Sequence, residues 1–205
     1  MIQAALLGVA TLLLGACASA PPSPCPVIGK EPLRLEGKTR ELTLQTPQGP
    51  LRVQRWRTAC AASDGALQPL VPLPGVKPAV EIDVLHALAD PQTLVIDMRD
   101  IDEPIAATLP NSYHIPYNEV EDRMDEVGCS KRGRNQWDCS AAPHVLVFCH
   151  GPMCLQSPAG IRAMVQAGFP VERISYYRGG MLDWQALGLP TVSGNLPPRK
   201  TGATP

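Results

Sequence analysis

The chain has 205 residues, enough for one good hydrophobic core and a small appendage but not for two full domains. Eighteen basic residues stand against 19 acidic ones, a formal charge of −1 that excludes the electrostatic footprint of a nucleic-acid binder. Many of its 23 prolines lie in the first 80 residues and the last ten, so extended segments are expected on either side of one compact region.

Residues 4–14 (AALLGVATLLL) form an apolar run too short to cross a bilayer, which takes about 20 residues. The run leads into LGAC at 14–17, small residues before a cysteine, and so resembles the bacterial lipoprotein signal. That resemblance implies a signal peptide over 1–16, cleavage before Cys17 and acylation of its thiol, although the initial MIQ lacks the usual Lys or Arg. Two or three acyl chains on Cys17 would hold the protein at a membrane, with residues 17–26 as a stiff Pro-rich tether. Ala18, in place of Asp, implies by resemblance to the Gram-negative sorting signal an outer-membrane anchor in the bacterial cell envelope, the body facing the periplasm. An ordinary signal cleaved near residues 18–20 is the alternative; either way the body is exported.

An N-terminal extension follows over 27–78. Residues 39–45 (TRELTLQ) and 51–57 (LRVQRWR) alternate apolar and polar side chains around TPQGP at 46–50, which predicts a β-hairpin. Its Arg52, Arg55 and Arg57 suit either an anion, such as a phospholipid headgroup, or plain solvent. Residues 70–75 (LVPLPG) read as an extended approach. Residues 79–89 (AVEIDVLHALA) read as a first helix or its lead-in, with His86 partly exposed on it.

The second half carries the chemistry. Residues 94–99 (LVIDMR) predict a buried strand ending in polar residues, the way α/β proteins present groups to a ligand. Residues 109–116 (LPNSYHIP) read as a turn into a short strand. Cys129 and Cys139 bracket a polar loop. Residues 145–157 (VLVFCHGPMCLQS) are the most informative stretch: an apolar run ends in the thiol of Cys149, and a Gly-containing loop leads to a helix. Ser157 as N-cap and Pro158 at the first helical position predict a helix over 158–167 closed by Gly168. Loop amides and the positive helix end would converge on the loop and favour a thiolate at Cys149. Residues 174–184 (ISYYRGGMLDW) predict a strand, a Gly-Gly turn and a helix, followed by GLP at 188–190.

In order and type these segments resemble a rhodanese, or sulfurtransferase, domain over 79–193. Asp97-Met98-Arg99 is similar to its Asp-x-Arg strand end. Residues 109–116 are similar to its His-Ile-Pro-Gly-Ala-x-x-Ile-Pro stretch, with Thr108 where His is usual, and residues 178–190 to its ending. The resemblance implies an α/β, three-layer domain around a central, mainly parallel sheet of about five strands, the hairpin being an extension and 194–205 a polar tail. It also implies sulfur transfer through a persulfide. Cys149 would attack the outer sulfur of a small sulfur-containing anion or persulfide donor, and a thiol acceptor would remove it, with no cofactor or metal. His150, Gly151, Pro152, Met153, Leu155, Gln156 and Ser157 would form the anion-binding loop, supported by Asp97, Arg99 and Arg178.

The loop departs from the family's Cys-x-x-Gly-x-Arg-Ser pattern. Ser157 comes eight positions after Cys149, later than in that pattern, and no cation lies between them. Cys154, a second thiol in the same loop, opens a periplasmic dithiol redox or persulfide-relay role with Cys149. A non-catalytic module that binds a partner or anion is the third reading. Of seven cysteines, six remain once Cys17 is set aside, an even number in an oxidising compartment. Chain proximity suggests Cys25–Cys60, Cys129–Cys139 and Cys149–Cys154. Their spacings lack the paired Cys-x-x-Cys knuckles of zinc sites.

Overall fold

The computed structural model describes residues 25–60, 65–100, 107–133 and 136–193. The expected signal peptide, Cys17 with its acylation, most of the tether and the 194–205 tail lie outside the described residues.

The extension forms the expected hairpin. Strands β1 (Glu41–Thr46) and β2 (Gly49–Gln54) pair antiparallel with Thr46 opposite Gly49. Gly49 has φ of 109°, a conformation the tight connection needs and glycine adopts without a Cβ clash. Most of the hairpin's side chains are exposed, so little core holds this part together. The Cys25–Cys60 disulfide restrains it instead, by limiting the unfolded chain. Arg52 pairs with Glu41 at the surface, and Arg55 donates to the Arg34 and Gly65 carbonyls. The hairpin's arginines are thus largely engaged with the chain itself.

A five-stranded sheet forms the body. In chain order its segments are β3 (Lys77–Ala79), α1 (Glu81–Ala89), β4 (Thr93–Asp97), β5 (Tyr113–His114), a small hairpin of β6 (Ser130–Gly133) and β7 (Gln136–Asp138), β8 (His144–Phe148), α2 (Gln156–Gln166), β9 (Ile174–Tyr177) and α3 (Gly180–Ala186). The sheet order is β3-β9-β8-β4-β5, with every neighbouring pair parallel. Strands buried on both faces require nearly continuous apolar sequence, which is why β4 and β8 read TLVI and VLVF. Alternate residues face opposite layers. Ile96, Val145, Val147 and Tyr176 pack with Ile161 and Met164 of α2. Val95, Leu146, Phe148 and Tyr177 pack with Val84 of α1 and with Met181 and Trp184 of α3. The result is the expected α/β domain of three layers.

Three local expectations need correction. Residues 77–78 were expected in the extension and Ala79 in the first helix or its lead-in; together they form the sheet strand β3, whose Pro78 is tolerated because β3 lies at the edge. The segment between the disulfide-bonded Cys129 and Cys139 carries the β6–β7 hairpin, tied by an Arg132–Asp138 ion pair, in place of a plain loop. Helix α2 begins at Gln156 with Leu155 as its N-cap, so Ser157 lies inside the first turn and caps nothing. Gly168, with φ of 110°, follows the helix end as expected.

Candidate active site

Parallel registry brings Asp97, Phe148 and Tyr177 side by side, so the segments that follow β4, β8 and β9 share one edge of the sheet. Ligands of open α/β sheets gather at this edge. The three segments do different things there.

After β4, Asp97 and Arg99 close on each other. Arg99 Nε lies 2.9 and 3.0 Å from the two carboxylate oxygens of Asp97, and Nη2 lies 2.6 Å from Oδ2. Arg99 also donates to the Ala107 carbonyl at 2.7 Å, and Thr108 Oγ1 donates to Asp97 Oδ2 at 2.7 Å. With Asp97 at 1% and Arg99 at 8% exposure, both charges are spent inside the protein. Their expected support of an anionic ligand is therefore corrected: the pair is a clasp that fixes the strand end. Thr108, standing where the family usually has His, is one of its donors.

After β8, the 149–157 loop is held on two sides. Beneath it, the first amides of α3 donate to the loop carbonyls, Met181 N to Cys149 O at 3.0 Å and Leu182 N to His150 O at 2.8 Å. Gly180, with φ of 57°, approaches so closely that a Cβ there would fall on the Cys149 carbonyl oxygen, which explains the Gly-Gly turn. Above it, the end of the extension lies across the loop. Gln68 N donates to Pro152 O at 2.8 Å, and Gly65 backs onto the Met153 carbonyl with no room for a side chain. After β9, Arg178 Nη1 donates to the Gln68 carbonyl at 3.2 Å, so this arginine clamps the strap that residues 65–68 form.

The two loop thiols are unlike. The Cys154 amide donates to Gly151 O at 2.9 Å, which turns the chain back on itself. Cys149 is 1% exposed, and its Sγ–H points to Cys154 O at 3.8 Å. Burial, then the neighbouring Cys154, pushes the Cys149 thiol well above its ordinary range. Cys154 is only half-buried, with its Sγ 3.7 Å from His150 Nδ1 and 3.5 Å from Gln156 Oε1. The neighbouring Cys149 above all, against the cost of burial, brings Cys154 down to about 5, helped by the His150 ring and the His150 and Gln156 amides. The coupling of the two thiols thus favours ionisation at the partly exposed Cys154 over the buried Cys149.

The expectation of an accessible, easily ionised Cys149 is thereby overturned. The strand-end thiol is buried, and the more exposed sulfur of the loop is its neighbour Cys154. Nor is the third expected bridge formed. Cys25–Cys60 and Cys129–Cys139 are disulfides, whereas Cys149 and Cys154 are free thiols. Of the other loop residues, His150 and Gln156 flank Cys154, Gly151 packs on Leu182, Pro152 and Met153 meet the strap, and Leu155 is exposed. Two hydroxyls are fully buried without a hydrogen-bond partner among the described residues, Ser157 Oγ and Tyr176 OH. Sequence reasoning missed Tyr176; its only signal was a phenol placed on the apolar pattern of β9.

Comparison with known proteins follows the same outline. Residues 82–187, more than half of the chain, match the family model described as Rhodanese-like domain. An HTH-type transcriptional regulator of Mycobacterium tuberculosis is 27% identical over 103 residues, 50% of this chain and 39% of that protein. The chain thus spans about two fifths of the length of the curated relative it matches. Similar solved structures include a rhodanese-related protein from Thermoplasma volcanium, with 24% identity, 55% of this chain and 94% of that chain covered, and a TM-score of 0.39. A thiosulfate sulfurtransferase from Pseudomonas aeruginosa shows 22% identity, 63% and 22% coverage and a TM-score of 0.41. The BH2092 protein from Bacillus halodurans shows 18% identity, 55% and 72% coverage and a TM-score of 0.42.

Proposed function

The chain belongs to the rhodanese-like domain family, a family of sulfurtransferases, and on that premise we propose that it moves sulfane sulfur through a persulfide formed in the 149–157 loop. The observation that carries this reading is the partly exposed thiol of Cys154, flanked by His150 and Gln156 beside the buried Cys149 at the ligand-gathering edge of the sheet. Cys154 takes the entering role first assigned to Cys149.

Its thiolate attacks the outer sulfur of a persulfide donor R–S–SH. The new bond joins Cys154 Sγ to that sulfur, the old S–S bond breaks, and RS⁻ leaves. An acceptor thiolate then attacks the same sulfur, carries it away as a new persulfide and restores the Cys154 thiolate. Two easier displacements replace one difficult transfer. The amides of His150 and Gln156 stabilise the charge on Cys154 as an oxyanion hole would.

Export and anchoring through Cys17 at the periplasmic side of the outer membrane belong to this proposal. Two disulfides among the described residues support an oxidising compartment. Metabolic labelling with a fatty acid tests the anchor: label should enter the wild-type chain and not Cys17→Ala.

The transfer itself is tested by single-turnover kinetics with a low-molecular persulfide as donor and a small thiol as acceptor. Cys154→Ser should lose at least about 100-fold in rate, as loss of a nucleophile does. Cys149→Ala should still transfer, with its pH dependence moved upward. Undiminished transfer by Cys154→Ser would overturn the reading.

A further inference from the structure

The same loop holds a second thiol whose surroundings fit a different task. Cys149 lies beneath the chain that Cys154 ends, on top of β8, and the strap and α3 close the loop from both sides. At 1% exposure it is shielded from donors in solution. It is not shielded from Cys154, because the Gly151–Cys154 turn folds that residue back and sets its carbonyl oxygen 3.8 Å from Cys149 Sγ. A sulfur captured on Cys154 would therefore lie next to Cys149. Every other described cysteine is tied in a disulfide, so among the described residues this is the dithiol that remains available.

Resting on the persulfide reading above, we propose that Cys149 resolves the Cys154 persulfide, closing a Cys149–Cys154 disulfide and expelling the captured sulfur as hydrosulfide. The loop thereby gains a persulfide-reducing activity in addition to transfer. Cys149 Sγ attacks Cys154 Sγ, the bond between Cys154 Sγ and the outer sulfur breaks, and the Cys149 proton passes to the departing sulfur. Cys154–S–S⁻ and Cys149–SH become the disulfide and HS⁻, so charge and atoms balance. The sulfane sulfur gains two electrons, and the two cysteine sulfurs supply them. A low-molecular thiol or a protein dithiol then reduces the disulfide by exchange, becoming oxidised itself.

Two further features fit an inner chamber that receives an extra sulfur. Ser157, in the first turn of α2, buries its hydroxyl without a hydrogen-bond partner among the described residues. Tyr176, paired in register with Val147 two residues before Cys149, also buries an unpartnered hydroxyl, within electrostatic reach of both thiols. Buried donors are nearly always satisfied in proteins, and an anionic sulfur between the two cysteines is an acceptor of the right kind.

The test uses the full, pre-reduced chain, loaded with one equivalent of a low-molecular persulfide and freed of small molecules. Hydrosulfide is followed with a sulfide-selective electrode, and intact mass is read at intervals. Wild type should release one hydrosulfide per chain and end two hydrogens lighter than the reduced protein. Cys149→Ser and Cys149→Ala should keep the extra sulfur and release at least tenfold less. A wild-type adduct that persists without disulfide, or equal release from Cys149→Ala, would overturn the inference while leaving transfer intact. Failure of every variant to gain sulfur would overturn transfer and reduction together.

Discussion

Replacing Cys149 with Ala probes where the loop keeps its charge. The neighbouring Cys149 is the strongest influence bringing Cys154 to about 5, ahead of burial, which opposes it, and of His150. An ordinary cysteine ionises near about 8.5. A thiol at about 5 would be about 99% thiolate at pH 7, against roughly 3% for an unperturbed thiol, an advantage of about thirtyfold. A less basic thiolate is also a weaker nucleophile. With a Brønsted slope of about 0.4–0.5, the gap of about 3.5 pH units costs roughly 25- to 55-fold. The two effects nearly cancel, so the rate at a single pH discriminates poorly and the pH profile decides. In wild type, alkylation of Cys154 by iodoacetamide should rise through about pH 5 and stay flat from about pH 6.5 to 9. Cys149→Ala should move that midpoint up by about one to three pH units and raise the plateau. Peptide mapping identifies the alkylated residue. A wild-type midpoint near that of a free thiol, or one unmoved by the substitution, would refute the charge assignment.

Other substitutions separate the supports of the loop. Gly180→Ala places a Cβ on the Cys149 carbonyl at a backbone φ of 57° and should cost about 1–3 kcal/mol in denaturant unfolding, with slower persulfide formation. Gly65→Ala collides with the Met153 carbonyl, so it should lift the strap and make Cys149 alkylate measurably faster, with the circular dichroism of the sheet domain unchanged. An unchanged Cys149 rate would show that the strap does not shield it. Thr108→Val removes a donor from the buried Asp97 carboxylate and should cost about 1–3 kcal/mol in thermal or denaturant melts, yet leave the Cys154 pH profile as it was.

The body of the fold was legible because burial on both faces leaves a strong mark: the apolar runs ending at Asp97 and Phe148 and the Gly-Gly turn at 179–180 each landed where expected. Local propensity served less well where tertiary contacts decide. Pro78 disguised an edge strand, and the polar SKRG and QWD segments give no alternation to announce β6 and β7. At the loop, residue types identified the right nine positions but not their roles. Whether a strand-end thiol is open depends on how its loop is held, and residues 65–68 meet that loop at Pro152 and Met153 from more than 80 positions away in sequence. The ionisation of Cys154 likewise depends on a turn back to Cys149, which no spacing rule specifies. Asp97 and Arg99 illustrate the same limit: adjacent opposite charges satisfied each other and left nothing for a ligand.

The most direct test of sulfur capture at Cys154 is the intact mass of two reduced variants after exposure to a low-molecular persulfide at about pH 9, where an ordinary thiol is ionised. Cys149→Ser, which cannot resolve, should gain one sulfur atom and hold it on the peptide containing Cys154, and Cys154→Ser should gain none. Uptake by Cys154→Ser, or none by Cys149→Ser, would contradict the assignment of Cys154 as the thiol that receives sulfur.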